Sequence, residues 1–410
     1  MTKEINEVVM VSVCRTPIGD FGGSLKSIRA NDLSILTTKE AIKRAGIDAS
    51  LVDELTMGMT FPHGNGSCPA RIVAIRSGMA NESSGVLVNQ NCASAMRAME
   101  IASHNLMLGK TEIAVVVGTE SMSNIPYVVQ EARFGYRMGD GKLQDAMLSD
   151  GLVCELAGGI HMGETAENIA AKYGITREEC DEMALTSHTR AIRAIEEGRF
   201  KKEIVPVPVR IRREDALFDT DEHPIKDASL EDMAKLRPAF RKDGVVTAAN
   251  ASGLNDASCA AVFMTKKKAE ELGIKPLMKL IGSCSAGVEP ELMGLGPAQA
   301  IPKVLKQAGM KYDDVDYWEL NEAFAAQVIG VERMLKEEQG IELNIGTVEE
   351  NGNINNNGSG IALGHPVGCT GIRIICSLYY ELERIGATVG GASLCVGGGA
   401  SMASLWTRDI

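Results

Sequence analysis

The helix-patterned run Ala93–Leu108 closes at Gly109 and leads into Ala114-Val115-Val116-Val117-Gly118. Near the C-terminus, Gly371–Ile385 closes at Gly386 and leads into Ser393-Leu394-Cys395-Val396-Gly397. In both places apolar residues recur at helical spacing, a glycine stops the helix, and a short apolar run follows. The first unit is preceded by a strand pattern at Val8–Val13, a helix at Asp32–Ala45, and strands at Glu54–Met59 and Gly85–Asn89. The second is preceded by a strand at Leu277–Ser283, a helix at Pro297–Ala308, a strand at Asp316–Glu319 and a helix at Asn321–Lys336. The chain therefore reads as an α/β plan used twice, with parallel strands covered on both faces.

Residues 123–254 break the pattern. They hold Arg133–Leu148, a helical stretch Gly163–Tyr173, a strongly helical Arg177–Glu197 and a polar extended stretch Glu203–Asp221. Met183, Ala184, Ser187, Ala191, Ile192 and Ile195 share a broad face of Arg177–Glu197 and read as core packing. The expected organisation is residues 1–122 plus about 255–275 as an N-terminal half, 123–254 as an inserted loop domain, and 276–410 as a C-terminal half.

A chain of 410 residues is too long for one core. The net charge of −12 argues against nucleic acid or an anionic membrane as the main partner, so an anionic ligand needs its own Lys or Arg cluster. The ten cysteines form no Cys-x-x-Cys pair and no zinc-like spacing, so no metal is expected. The N-terminus has no apolar signal core, and no apolar run approaches the ~18 residues of a membrane span. A cytoplasmic protein with free thiols is expected.

Four blocks carry chemistry: Asn89-Gln90-Asn91-Cys92-Ala93-Ser94, Asn321-Glu322-Ala323-Phe324, Gly364-His365-Pro366-Val367-Gly368-Cys369 and Leu394-Cys395-Val396-Gly397-Gly398-Gly399. Small residues around each let backbone approach a substrate closely. Cys92 follows a strand and begins a helix, where unpaired N–H groups and the helix dipole lower a thiol pKa. In order, spacing and wording, these blocks resemble the thiolase family, from about Val8 to Leu405.

The resemblance implies a thiolase-like fold: two duplicated five-layered αβαβα halves plus an inserted loop domain. It implies that Cys92 is the nucleophile that becomes acylated, with His365 activating it. Cys395 would move the α-proton of an acetyl thioester. Gly397 N–H with Cys92 N–H would form an oxyanion hole, and Asn321, expected also to cap its helix, would position a water with His365. Cys369 stands where many thiolases have a small residue.

For the substrate, the resemblance points to His161 and Met162 beside the pantetheine arm, and to Met293, Ser252 and Phe240. Bulky Met162 and Met293 would leave a small acyl pocket. Lys226, or Arg210, Arg212 and Arg213, would meet the phosphates of coenzyme A. The final asparagine block reads Asn355-Asn356-Asn357-Gly358-Ser359-Gly360, a departure from the usual wording, and residues 337–352 read as a polar insertion forming a surface excursion.

The implied activity is reversible condensation of two acetyl-CoA into acetoacetyl-CoA and CoA, with no cofactor beyond the substrate. A broader 3-ketoacyl-CoA thiolase and a non-catalytic lipid-binding relative are the alternatives. A homo-oligomer is expected, a tetramer or a dimer.

Overall fold

The structure is a computed structural model and describes residues 5–211 and 214–410. One ten-stranded sheet runs through the molecule. Its main strands are β1 (Val8–Arg15), β2 (Glu54–Gly58), β3 (Ser84–Val88), β4 (Ile113–Ser121), β5 (Asn255–Thr265), β6 (Met278–Gly287), β7 (Tyr317–Leu320), β8 (Val389–Cys395) and β9 (Ala400–Thr407). Their order is β7-β8-β9-β6-β1-β5-β4-β2-β3, and the short pair Gly19–Asp20 lies against β5 off this path.

The duplication is visible in the pairing. From β2 to β1 the contacts are parallel (β2 with β4), antiparallel (β4 with β5) and antiparallel (β5 with β1). From β7 to β6 they repeat as parallel, antiparallel, antiparallel. Even β3, parallel to β2, has a counterpart, because Ile354 bridges Trp318 in parallel. The halves join where Val9 and Met10 of β1 face Lys279 and Met278 of β6.

Strand alternation sorts the layers. Ala114 and Val116 of β4 face a core shared with α3 (Ser94–Met107) and α8 (Thr370–Ile385). Val115 and Val117 face the opposite core, with α1 (Ala30–Ala45) and α2 (Pro69–Arg76). On the other half, Met402 and Trp406 of β9 point to the α3/α8 core. Ala403 and Leu405 point to α6 (Gly296–Ala308) and α7 (Ala325–Gln339). The layers run α1/α2, sheet, α3/α8, sheet, α6/α7, and the two helices that follow the Cys92 and His365 blocks are central.

Glycines make that centre possible. A Cβ on Gly58 would stand 2.2 Å from Ala95 N, and one on Gly371 would stand 2.4 Å from Met96 N. The start of α3 thus rests directly on β2 and against the start of α8.

Between Met122 and Asn255 lie α4 (Met162–Tyr173), α5 (Arg177–Glu196) and a hairpin, Val207–Ile211 with Glu214–Phe218. Met183, Ala184, Ser187 and Ala191 are buried, as their helical stripe requires, while Ile192 and Ile195 are half-buried. The polar insertion is held down more firmly than its composition suggests. Arg190, buried on α5, donates to the carbonyls of Ile345, Thr347, Glu350 and Ile354. No helix among the described residues is long and apolar enough to cross a membrane.

Candidate active site

The turn before α3 is built by short-range bonds. Ser94 Oγ donates to Asn91 O at 2.6 Å and accepts from Gln90 N–H at 2.9 Å. Asn91 takes a left-handed φ of 46°, and this kink turns the following residue, Cys92, onto a cavity of about 390 Å³. Asn91 Nδ2 donates to Gly397 O at 3.1 Å, tying the Cys92 turn to the glycines after β8. The Gly397 N–H is directed at the Cys92 thiol.

His365 reaches the same cavity from the loop before α8. Its N–H donates to Asn255 Oδ1 at 2.9 Å, and Gly364 before it, at φ 98°, lies so close to Asn255 that no Cβ fits. The ring Nδ1 is 2.6 Å from Thr370 Oγ1, and Thr370 donates its own proton to Pro366 O at 3.0 Å. The hydroxyl can therefore only accept from the ring. This fixes the proton on Nδ1 and leaves Nε2, which has no hydrogen-bond partner, as the basic atom.

Cys92, His365, Cys395 and Gly397 all line this cavity, as do His161, Met162, Phe240, Ser252 and Met293. His161 accepts Gly163 N–H on Nδ1 at 3.0 Å, which caps α4, and stacks on Phe240 at 4.8 Å between ring centroids. Met162 and Met293 are buried beside Phe324 and Cys395. Phe61, Met122, Met147 and Val367 form a second apolar cluster against which Cys92 packs, and the last three line the cavity.

Two expected residues stand elsewhere. Asn321 is wholly buried but does not line the cavity. Its Oδ1 accepts from Arg373 Nη2 at 3.3 Å, and its Nδ2 has no partner. It is not a helix cap, because Asn321–Phe324 is extended or turned and α7 begins only at Ala325, with Phe324 at the cap position. Lys226 is exposed and is not among the lining residues, and among the described residues no Lys or Arg lines the cavity. Arg212 and Arg213 lie outside the described residues, and Arg210 sits on the hairpin Val207–Ile211 with Glu214–Phe218, off the cavity. Cys369 is buried in the α3/α8 core. Sequence reading assigned no role to Phe324 or Val367, although each stands inside a quoted block. Met122, Met147 and Leu152 carry no periodic or motif signal.

Electrostatics correct one expectation. Burial pushes the Cys92 thiol up to about 11, the Glu120 carboxylate adds to the rise, and the N–H groups of Gly397 and Cys92 pull it down by less. The helix start does not win against desolvation here. Burial also drives Cys395 well above the ordinary thiol range, and the nearby Cys92 adds to it. Burial, then the Arg373 guanidinium, lowers His365 to about 3. The resting site is a neutral thiol beside a neutral imidazole. All ten cysteines are free, and among the described residues no group of three or more His, Cys, Asp or Glu side chains is arranged to hold a metal ion.

Such a site, with two thiols, a base and an N–H donor on an apolar cavity, is built for acyl transfer to sulfur. The family model "Thiolase, N-terminal domain" matches residues 8–267, and "Thiolase, C-terminal domain" matches residues 274–408. The chain belongs to the thiolase family. It is 46% identical over 399 residues to an acetyl-CoA acetyltransferase of Syntrophomonas wolfei, covering 97% of this chain and 98% of that protein. A solved structure of an acetyl-CoA acetyltransferase from Syntrophomonas wolfei aligns with TM-score 0.96 at 66% identity, covering 99% and 100% of the two chains. A crystal structure of human mitochondrial 3-ketoacyl-CoA thiolase aligns with TM-score 0.92 at 36% identity, covering 98% and 99%.

Proposed function

We propose that this protein is an acetyl-CoA C-acetyltransferase, joining two acetyl-CoA into acetoacetyl-CoA and CoA through an acetyl-Cys92 intermediate. The observation that carries the reading is the convergence of Cys92, His365, Cys395 and Gly397 on one cavity. The names of the most similar relatives point the same way.

His365 Nε2 takes the Cys92 proton as sulfur attacks the acetyl carbonyl carbon. The oxyanion is held by the N–H groups of Gly397 and Cys92. When the C–S bond breaks, the departing CoA thiolate takes the proton of Cys395. The Cys395 thiolate, now opposite a protonated His365, removes an α-proton from a second acetyl-CoA. That carbanion attacks acetyl-Cys92, and the released Cys92 sulfur recovers its proton from His365. The Cys92 proton returns by way of His365, while the proton Cys395 gave to CoA is replaced by the α-proton it removed, so the site ends in its starting protonation state. Asn321 Nδ2, turned away from Arg373, would hold a water on the enolate oxygen together with His365.

The pantetheine arm would run past His161, Phe240 and Ser252. Met162, Met293 and Phe324 would close the acyl end against long chains. With no Lys or Arg among the described residues of the cavity wall, the phosphates of CoA would lie outside it, where Lys226 is one candidate. Phe134 and Met138, 94% and 95% exposed on the excursion between Met122 and Met147, and Val86 on the edge strand β3 support a homo-oligomer, a tetramer in this reading. A cytoplasmic enzyme of fatty-acid metabolism, needing no cofactor besides CoA, fits the same chemistry.

The test is thiolysis of 3-ketoacyl-CoA substrates of increasing length. Acetoacetyl-CoA should give the highest kcat/KM. Equal or rising values for longer chains would favour a broad 3-ketoacyl-CoA thiolase. No turnover of any substrate by folded protein would favour a lipid-binding protein.

A further inference from the structure

Glu120 stands where the two catalytic loops meet. It is 1% exposed, near the end of β4 in the N-terminal half. Oε2 accepts Thr60 N–H at 2.9 Å and Gly368 N–H at 2.8 Å, and Oε1 accepts Phe61 N–H at 3.2 Å. Gly368 lies three residues after His365 and belongs to the C-terminal half. Thr60 is the link to the nucleophile. Its Oγ1 donates to Asn91 O at 3.2 Å, and Asn89 Nδ2 donates to Thr60 O at 3.1 Å. Asn91 holds the left-handed kink that aims Cys92.

The fit at the histidine arm is tight. A Cβ on Gly368 would stand 2.6 Å from Glu120 Oε2, 2.7 Å from Met59 Cα and 2.8 Å from Thr119 O. The loop carrying His365 can thus approach β4 closely only with glycine there, and it does so to meet this carboxylate. Burial pushes Glu120 up to about 7, while the three N–H donors and the Thr60 hydroxyl favour the anion. A buried carboxylate kept at that cost in desolvation has a purpose beyond filling space.

We propose that Glu120 is a positioning residue for acyl transfer, fixing the distance between His365 and Cys92 by holding the His365 loop directly and the Cys92 turn through Thr60. The inference rests on the reading of Cys92 as the acylated residue. A structural role alone would cost stability and leave the rate per folded molecule unchanged. A positioning role lowers the rate of Cys92 acylation and leaves acetyl-CoA binding intact, because neither loop contact of Glu120 faces the pantetheine arm.

The experiment is rapid-quench mass spectrometry of Cys92 acetylation by acetyl-CoA in the parent protein, Glu120→Gln and Thr60→Val. In Glu120→Gln an amide NH2 replaces one accepting oxygen and faces a backbone N–H. Acetylation at saturating acetyl-CoA should slow about ten- to a hundredfold, with half-saturation unchanged. Thr60→Val keeps the Glu120 carboxylate and its three N–H donors and removes the hydroxyl that reaches Asn91 O and the carboxylate, and it should also slow acetylation, by less. Folded Glu120→Gln acylating at the parent rate would overturn the proposal, as would a loss that saturating acetyl-CoA abolishes. If Glu120→Gln does not fold, Thr60→Val at the parent rate overturns it. No adduct in the parent would instead remove the reading of Cys92 itself.

Discussion

Thr370 Oγ1 accepts the Nδ1 proton of His365 at 2.6 Å while donating its own to Pro366 O. One hydroxyl at the start of α8 thereby decides which nitrogen of the His365 ring is basic. Thr370→Val keeps the shape and removes the acceptor, so the ring is free to exchange tautomers and to turn. Cys92 acetylation should fall about ten- to a hundredfold, and Thr370→Ser should recover most of it. Stopped-flow or rapid-quench acylation checks this.

The neutral resting pair makes a prediction about pH. Cys92 is held up to about 11 and His365 down to about 3, so the free protein carries almost no thiolate–imidazolium pair at pH 7. A raised thiol pKa means that thiolate appears only as pH climbs toward that value. The alkylation rate of Cys92 by iodoacetamide should keep rising through pH 7 to 10, about tenfold per unit. A plateau from pH 6 to 8 would mean a preformed ion pair and would contradict the burial argument.

Met293 is 2% exposed and lines the cavity. Met293→Ala should open room for two or three more carbons and cost about 2–5 kcal/mol of stability. The ratio of kcat/KM for 3-ketohexanoyl-CoA over acetoacetyl-CoA should rise about tenfold or more. An unchanged ratio in folded protein would remove Met293 from the acyl pocket.

Gly58→Ala places a methyl against Ala95 N and Cα, which are backbone atoms that cannot rotate away. The start of α3 must lift from β2 and carry Cys92 with it. About 1–3 kcal/mol of stability should be lost, and activity should fall further than the folded fraction does. Denaturant titration beside an activity assay separates the two effects.

Arg190 holds five carbonyls between Ile345 and Asn355 from one buried guanidinium. Arg190→Met would leave several of them without a donor, at about 1–3 kcal/mol for each that stays buried. Limited proteolysis should then cut within residues 337–352 at a protease concentration that spares the parent.

The double α/β plan was legible because it rests on period and punctuation: helical spacing in α3 and α8, then glycine, then an apolar strand. Among the main strands the expected parallel pairing holds only for β2 with β3, β2 with β4 and β7 with β8, the rest being antiparallel. The residues around the cavity were legible where they sit in small-residue blocks, as Cys92, His365, Cys395 and Gly397 do. What failed has physical causes. Asn321–Phe324 looks like a helix start, yet Asn321 N–H donates to Ser393 O and Ala325 N–H to Asn250 O, so tertiary pairing replaces the first helical turn. β5 has the small residues Ala257, Ser258, Cys259, Ala260 and Ala261, which carry little strand propensity. Its place between β1 and β4 makes it a strand. The Cys92 shift depends on the sum of burial from several loops, which no local pattern encodes. Thr370 acts through a local bond to His365 whose ring geometry no sequence pattern encodes, and Glu120 through three hydrogen bonds to segments far apart in sequence.

The most direct measurement is intact-protein and peptide mass spectrometry after mixing with acetyl-CoA alone, for the parent and for Cys92→Ser. The parent should gain one acetyl group, located on Cys92 and discharged by added CoA, and Cys92→Ser should gain none. A folded parent without the adduct, or with the acetyl group on another residue, would contradict Cys92 as the nucleophile.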